Sequence, residues 1–271
     1  MVCAYRARAS RWQRPIFVDP WAAPLAGDEG EQLARQLDAR FAPMETWLAL
    51  RVAYLDRMVG LAADALGVRQ VVVLGAGYDT RAARLARAGV TFYEVDHPAT
   101  QAAKRARLAR LPGYPVDAAR YVACDFERED ALERLASAGF ALDAPALVLW
   151  EGVVPYLSEE AVRATATRLA GGLEPRSLLA FDFLGKKLVE GKSLNQADRH
   201  TRAYVGELGE PLRFGTNDIL PLLSECGFRW VRVHDFNELA LDFLGDYDRE
   251  RQFRFQYLAL ASRTMPGAGW P

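Results

Sequence analysis

A glycine turn after an apolar run is the first feature of the sequence that could bind a ligand. Residues 71–85 read VVVLGAGYDTRAARL, so an apolar run ends in Gly75-Ala76-Gly77 and a helix-forming stretch follows. Glycines there let the backbone approach a ligand, but Thr80 stands where a dinucleotide fingerprint has its third glycine. Asp79 precedes it, and a carboxylate at a helix start repels phosphate. The turn alone is weak evidence, and it suits a ligand that carries positive charge.

Three acidic residues stand at the ends of the next apolar runs. Asp96 comes about twenty residues after the glycines, where a carboxylate can accept from both ribose hydroxyls; a solvated acid in a turn is the alternative. Asp125 can accept from an adenine amino group, with Phe126 as an apolar wall. Glu151 ends the fourth run. Because clustered carboxylates repel one another, we expect a cationic ligand, and S-adenosylmethionine, with a sulfonium and an ammonium group, meets that expectation.

The carboxylate of such a ligand needs a cation, and Arg51 is the candidate. It interrupts the otherwise apolar helical stretch LALRVAYLDRMV. A guanidinium group matches a carboxylate with two parallel hydrogen bonds. An ordinary surface arginine is the alternative interpretation.

Alternating strands and helices are predicted to position these residues. Short β-rich runs alternate with helical stretches, which is typical of right-handed βαβ units and a parallel sheet. The runs are apolar throughout, as expected when helices cover both faces of the sheet. The predicted strands span residues 70–75, 91–96, 120–126, 146–152 and 177–184. Ligands of such sheets bind outside the carboxyl ends of the strands, where the glycines and the acids are expected.

The remaining segments complete a single predicted domain over residues 1–271. Its parts are a helical N-terminal cap at 1–67, a cofactor-binding core at 68–184, a lid insertion at 185–215, and a C-terminal helix with a strand pair at 216–263. Within the cap, residues 20–67 have a helical pattern, and the lid is expected to hold a helix around 197–205.

The C-terminal part decides between two fold classes. Its helix is predicted to begin after Thr216 as N-cap and to stop at Gly227, and two strands follow without a helix between them. A terminal strand pair beside a five-stranded parallel run predicts an α/β fold with a seven-stranded sheet whose last strand is antiparallel. This arrangement is typical of the class I methyltransferase (Rossmann-like) fold rather than of a nicotinamide dehydrogenase.

Composition limits the partners and the location. The net charge is −1, with the basic residues spread along the chain, so we expect no binding of nucleic acid or of a membrane surface. The three cysteines lie far apart, which predicts reduced thiols and no metal site. No apolar stretch approaches the ~18 residues of a membrane span, and no signal peptide is recognisable, so the cytoplasm is the predicted location.

Four segments resemble the leucine carboxyl methyltransferase-like family of class I methyltransferases, whose bacterial members include polyketide and natural-product O-methyltransferases. They are LGAGYDTRAARL, YEVDHPATQAAKRARL, ACDFERED and LWEGVVPYLSEEAV, and the resemblance runs from about Arg11 to Arg263. It implies S-adenosylmethionine as cofactor. The chain lacks the long additional stretches of the members that methylate protein phosphatases, so we expect a small-molecule acceptor instead.

The resemblance also implies roles for individual residues. It assigns Arg51 and Arg14 to the cofactor carboxylate, Gly75, Ala76 and Gly77 to the methionine part, Asp96 to the ribose, Asp125 and Phe126 to the adenine, Glu151 to the methionine amino group or the ribose side, and Tyr156 to the neighbourhood of the transferred methyl group. For Asp79 and Arg81, an internal ion pair with helix capping and a contact to the ligand are both open.

The acceptor atom is expected to be an oxygen of a carboxylate or of a hydroxyl group. A carboxylate is ionised at neutral pH, whereas a phenol or an alcohol benefits from a general base. Of the three histidines only His200, in the lid, is a candidate base, and a surface or structural role is its alternative. This shortage favours a carboxylate acceptor and a methyl ester. The rival functions are a nicotinamide oxidoreductase and a non-catalytic cofactor-binding subunit, and the oligomeric state stays open.

Overall fold

A seven-stranded sheet forms the centre of the protein. The computed structural model describes residues 1–39, 44–126, 128–192, 199, 202–203, 206–207, 209, 211–246 and 255–267. The strands are β1 (Gln70–Leu74), β2 (Thr91–Asp96), β3 (Ala119–Ala123), β4 (Ala146–Trp150), β5 (Leu178–Leu184), β6 (Trp230–Asp235) and β7 (Gln256–Ser262). Their order is β3-β2-β1-β4-β5-β7-β6, and β7 is antiparallel to both neighbours while β1 to β5 run parallel. The predicted fold with an antiparallel last strand is therefore confirmed.

Helices cover both faces of this sheet. In the described parts of the chain they are α1 (Val2–Ala9), α2 (Ala22–Asp38), α3 (Met44–Ala65), α4 (Arg81–Arg84), α5 (Pro98–Leu108), α6 (Ala131–Ser137), α7 (Glu159–Gly172), α8 (Lys186–Val189), α9 (Leu220–Glu225) and α10 (Phe236–Leu244), with a 3-10 turn at Val154–Tyr156. Val71 and Val73 of β1 pack in one apolar cluster together with α3, and Val72 and Leu74 pack in another together with α6 and α7. All five residues of β1 are buried, which explains its uninterrupted apolar pattern.

The N-terminal helices form a layer over the carboxyl edge of the sheet. The helical pattern predicted over residues 20–67 corresponds to α2 and α3, and α2 changes direction at Gly27, whose φ is +57°. α1 packs against both α2 and α3. Through α3, this layer places Arg51 near the end of β4.

Two local predictions for the C-terminal part are wrong. Thr216 does not cap a helix: its hydroxyl forms a turn with the backbone of Asp218, and α9 begins only at Leu220. The strands β6 and β7 are separated by α10, which the sequence interpretation omitted because it continued the strand through Phe236. Asp235 ends β6 and caps α10 by accepting from Glu238 N at 2.8 Å, so the element changes at that residue. Gly227, with φ +104°, follows α9 as predicted.

The predicted lid at 185–215 is described only in part. Its first portion forms α8, whereas most of the helix expected around 197–205, and His200 with it, lies outside the described residues. In the described parts of the chain, no helix combines the length and the apolar character that crossing a membrane requires.

Candidate active site

A cavity of about 590 Å³ lies at the carboxyl end of β1, covered by α1 and α2. Its volume is within the range of pockets that hold small molecules and cofactors. The glycine turn at 75–77 lines it, together with Arg51 and Glu151, so five of the predicted cofactor residues come together here. Its charged lining residues are Arg6, Glu29, Arg51, Asp79, Arg107 and Glu151.

Backbone geometry requires the glycines of the turn. The φ angle is +65° at Gly75 and +45° at Gly77, a region that residues with a side chain rarely adopt. A Cβ atom on Gly75 would lie 2.5 Å from Cγ2 of Val153, in the segment after β4. The turn thus packs closely against that segment and leaves bare backbone as part of the cavity wall.

Asp96 supports this turn from the end of β2. Its Oδ2 accepts a hydrogen bond from Gly77 N at 2.6 Å, and its Oδ1 accepts from His97 N at 2.7 Å. A carboxylate offers about four acceptor positions, so two remain for a ligand such as a ribose. Asp96 therefore has a structural role beside the role that the sequence predicts.

Asp125 and Phe126 lie further along the same edge of the sheet. The strand order places the end of β3 beside Asp96, and Asp125 is half-buried there with Arg128 Nε 3.7 Å from its Oδ2. Phe126 is 42% exposed. Neither residue lines the cavity. Their contact with an adenine stays a prediction, and it requires a ligand that extends from the cavity toward β3.

Arg51 and Glu151 belong to a buried chain of ion pairs beneath the cavity. Arg51 Nε lies 2.9 Å from Glu151 Oε1, and Arg51 Nη1 lies 2.8 Å from Asp182 Oδ2. Glu151 also pairs with Arg81 at 2.5 Å. From Arg81 the chain continues to Asp79 and Asp56, from Asp56 to Arg84, from Arg84 to Asp19, and from Asp19 to Arg6. We call these nine residues the ionic network.

The ionic network carries an excess of negative charge. Over the described part of the chain it contains four guanidinium groups and five carboxylates. Burial by itself would raise the pKa of Asp79, but Arg81, Lys104 and Arg6 outweigh it and lower that pKa to about 2. The pKa of Glu151 is lowered as well, because its two arginines outweigh burial. A cation in the cavity would balance this excess.

Of the two interpretations left open for Asp79 and Arg81, the structure shows the internal ion pair, and a contact of Asp79 with the ligand stays a prediction. The Asp79 carboxylate pairs with the Arg81 guanidinium and accepts from Arg81 N at 2.6 Å, as an internal ion pair at the start of α4. It also lines the cavity, whereas Arg81 does not.

Arg6 and Arg107 line the cavity together with Arg51, and the predicted role of Arg14 stays a prediction. Arg14 is exposed and does not line it. Arg6 is 7% exposed, donates to Tyr78 O at 2.7 Å, and lies 3.0 Å from Asp19. The sequence comparison of this segment depends on Asp19-Pro20, and the arginine nearest to Asp19 in the structure is Arg6 of α1. No local pattern in VCAYRARA distinguishes Arg6 from its basic neighbours.

A second, smaller cavity of about 110 Å³ adjoins the first. Met1, Val2, Arg51 and Gly152 line both cavities, so the two meet at these residues. Tyr156, predicted near the transferred methyl group, lines the second cavity, together with Asp182 and Gln256. The sequence interpretation missed Asp182 and Gln256. Asp182 could have been found, because it is an acid near the end of the apolar run SLLAFDFL, just as Asp96 ends an earlier apolar run.

Metal ligands and disulfides are not part of this site. In the described ranges no group of His, Cys, Asp and Glu side chains is arranged to hold a metal ion. Cys3, Cys124 and Cys226 are buried free thiols. His200 lies outside the described residues, so its predicted role is not tested.

Fold and site together define a class I methyltransferase: the strand order with antiparallel β7, the glycine turn after β1, and the acid at the end of β2 that supports it. Residues 1–170 match the family described as leucine carboxyl methyltransferase. The chain belongs to this family of S-adenosylmethionine-dependent methyltransferases, so the predicted family is confirmed.

Individual relatives agree with this assignment. A protein of Mycobacterium tuberculosis, named as an inferred S-adenosyl-L-methionine-dependent methyltransferase, is 36% identical over 254 residues, which cover 89% of this chain and 80% of the relative. Two solved structures share the fold. An inferred methyltransferase from Thermobifida fusca has a TM-score of 0.67 and 17% identity over 98% of this chain and 95% of its own. A DUF574 family protein from Streptomyces avermitilis has a TM-score of 0.65 and 15% identity over 97% of each chain.

The residues around the larger cavity fit S-adenosylmethionine. Arg6 and Arg51 offer guanidinium groups for its carboxylate, while Glu29, Asp79 and Glu151 offer carboxylates for its ammonium and sulfonium groups. At Gly77 a Cβ atom would meet nothing closer than Gly75 O at 4.0 Å, so the backbone there is bare and has open space beside it. The predicted cofactor is confirmed for the family, and the assignment of each residue to a part of the cofactor stays a proposal.

Proposed function

We propose that the protein transfers the methyl group of S-adenosylmethionine to an oxygen atom of a small, largely apolar acceptor. The observation that carries the proposal is the junction of the two cavities at Arg51 and Gly152. A cofactor in the larger cavity and an acceptor in the smaller one would be neighbours, as in-line displacement requires, with reacting atoms ~3–3.5 Å apart. Bound S-adenosylmethionine supplies a methyl group that its sulfonium has already activated.

The ionic network supports this assignment through its charge. S-adenosylmethionine has one carboxylate, one ammonium and one sulfonium group, a net charge of about +1 at neutral pH. The network has one carboxylate more than it has guanidinium groups. The demethylated product has lost the sulfonium charge, so we expect it to be held less tightly than the methyl donor.

A carboxylate and a hydroxyl group are the two candidate acceptors. The carboxylate acceptor that the sequence predicts is in keeping with the description of the family, which names a carboxyl group. The hydroxyl acceptor is favoured by Asp182, a buried carboxylate in the wall of the second cavity. The sequence favours a carboxylate acceptor because it offers few candidates for a general base. In this proposal Asp182 is such a candidate. A natural-product acceptor and a cytoplasmic location stay predictions from the sequence.

Calorimetric titration tests the cofactor part of the proposal. We expect S-adenosylmethionine and S-adenosylhomocysteine to bind and NADH not to bind; binding of NADH alone would refute the assignment. Methyl-labelled cofactor and matched pairs of alcohols and carboxylic acids then test the transfer. A protein that binds the cofactor but labels neither member of any pair, while labelling amines or thiols, would contradict O-methylation.

A further inference from the structure

The described lining of the second cavity has four polar side chains, those of Arg51, Tyr156, Asp182 and Gln256, and is otherwise apolar. Asp182 of β5 and Gln256 of β7 are 3% and 5% exposed. In the register of these antiparallel strands Leu184 is opposite Gln256 and Asp182 is opposite Leu258, so all four project from the same face. The apolar walls include Leu37, Met44, Trp47, Leu48, Leu188 and Leu212.

Gln256 is a buried residue whose side-chain amide has no hydrogen-bond partner among the described residues. Its side chain makes no hydrogen bond with any residue in the described part of the chain, although it lies in the cavity wall. Buried polar groups in folded proteins are almost always hydrogen-bonded, so an unpaired amide that faces a cavity indicates an occupant with a polar group.

Asp182 is held in place and retains acceptor capacity. Its Oδ1 accepts from Gly152 N at 2.6 Å, and its Oδ2 accepts from Arg51 Nη1 at 2.8 Å. Each oxygen therefore has a further lone pair that can accept from a ligand. Burial outweighs the nearby Arg51 and raises the pKa of Asp182, which makes this carboxylate a better proton acceptor.

The charges around Asp182 in this cavity disfavour an anion. Two residues of the described lining carry a basic group: Arg51, which is already shared by Glu151 and Asp182, and Met1 with the terminal amino group, whose pKa is lowered by burial. Lys186 and Lys187 of the predicted lid are exposed and do not line the cavity. Within the described lining, a carboxylate placed here would meet Asp182 while the guanidinium of Arg51 is already paired, and like charges in a buried site repel strongly.

We propose that the second cavity selects a neutral alcohol or phenol, whose hydroxyl group donates to Asp182 and accepts from Gln256. This rests on the proposed function and specifies its substrate class. When the acceptor oxygen bonds to the methyl carbon, the electron pair of the broken S–C bond stays on sulfur and the hydroxyl proton passes to Asp182. A cavity of ~150 Å³ takes up benzene, so this somewhat smaller one limits the enclosed part of the acceptor to a small ring or a short chain at most.

Phenol and benzoate are the matched probes, because at neutral pH they differ chiefly in the charge of the group that would reach Asp182. The protein is saturated with S-adenosylhomocysteine, and both probes are titrated by ligand-detected NMR. We expect phenol to bind at least tenfold more tightly than benzoate. Equal affinities, or a preference for benzoate, would overturn the proposal.

Three variants separate the contributions. Asp182→Asn is expected to weaken the binding of phenol severalfold and to leave the binding of benzoate unchanged or tighter. The preference for phenol should therefore disappear. Gln256→Leu should weaken phenol with Asp182 intact. Asp143→Asn, at an exposed acid, is the matched control and should leave both affinities unchanged. If Asp182→Asn does not fold, the proposal is still tested by the relative affinities of the wild type for phenol and benzoate and by the affinity of Gln256→Leu for phenol.

The affinity for S-adenosylhomocysteine, measured on the same samples, separates the two proposals. If the cofactor product does not bind to the wild type, the proposed function fails. If it binds and phenol is not preferred, only the selection of a hydroxyl acceptor fails.

Discussion

A glycine at position 75 has two reasons: its positive φ angle and the close contact with Val153. Replacing Gly75 by alanine tests both together, and replacing Gly67 by alanine, the matched control, tests the φ angle alone. Both residues have a φ of +65°, but a Cβ on Gly67 meets nothing within 4 Å, whereas one on Gly75 would lie 2.5 Å from Val153 Cγ2. A left-handed alanine costs about 1–2 kcal/mol. The smaller entropy of the unfolded variant returns about 0.4–1 kcal/mol. Gly67→Ala should therefore lower the free energy of unfolding by roughly 1 kcal/mol.

The close contact adds a further cost to Gly75→Ala. Overfilling a packed site costs about 1–3 kcal/mol, so the total for Gly75→Ala is roughly 2–4 kcal/mol. Thermal unfolding followed by circular dichroism measures the difference, at about 2–4 °C per kcal/mol for a chain of this size. Val153→Ala in the Gly75→Ala background should recover most of the difference, because it removes the contact and leaves the φ strain. Equal shifts for Gly67→Ala and Gly75→Ala would refute the reasoning.

Three further predictions concern charged residues. Arg6→Ala should weaken S-adenosylhomocysteine binding in calorimetry by about 2 kcal/mol or more, while Arg14→Ala leaves it unchanged; the reverse result would restore the assignment of Arg14. Arg51→Ala should lower both cofactor affinity and the unfolding temperature, because it leaves two buried carboxylates short of a partner, a loss of about 3–5 kcal/mol; an unchanged unfolding temperature would contradict this. The lowered pKa of Asp79, about 2 against an ordinary 3.8, gives stability that is complete above about pH 4 and lost as the pH falls toward 2. The unfolding temperature of Asp79→Asn should therefore fall less than that of the wild type as the pH is lowered over that interval. If the unfolding temperatures of the two proteins fall in parallel, Asp79 does not contribute.

The sequence predicts the parts of the site that depend on strand ends. The apolar runs mark the buried parallel strands, and the residue after each run must lie at the carboxyl edge of the sheet whatever the helices do. For this reason the glycine turn, Asp96 and Glu151 could be placed before the fold was known. Their neighbours along the edge follow from the strand order.

The rest of the site depends on tertiary packing, which a local pattern does not contain. Arg6 and Arg14 are both arginines near the start of the chain, and only the packing of α1 against α2 and α3 brings the first of them to Asp19. Asp182 stands inside an apolar strand, and its partners come from α3 and from the loop after β4. Asp235 ends a strand and caps the following helix. The sequence did not reveal this boundary, because the pattern of the strand continues into Phe236.

Arg51 shows why the number of partners matters as much as the identity of a residue. The sequence suggests a guanidinium group reserved for a cofactor carboxylate, but the structure gives it two carboxylates within the protein. Its Nη2 lies beside Gly152, where a Cβ atom would approach within 3.4 Å. Arg51 thus has its Nε and Nη1 committed to Glu151 and Asp182, while its Nη2 lies at the boundary between the cavities.

The ionic network joins the cover of one cavity to the wall of the other. At one end Arg6 belongs to α1, which covers the larger cavity; at the other end Asp182 belongs to β5 and lines the smaller one. Interactions between buried charges are screened weakly, so a charge added to the larger cavity acts on the whole chain of pairs. In the proposed function, a cationic methyl donor in the larger cavity would stabilise the excess carboxylate charge, and loss of its sulfonium would remove that stabilisation. The charge that distinguishes donor from product would then act on the same carboxylates that hold Arg51 at the junction of the two cavities.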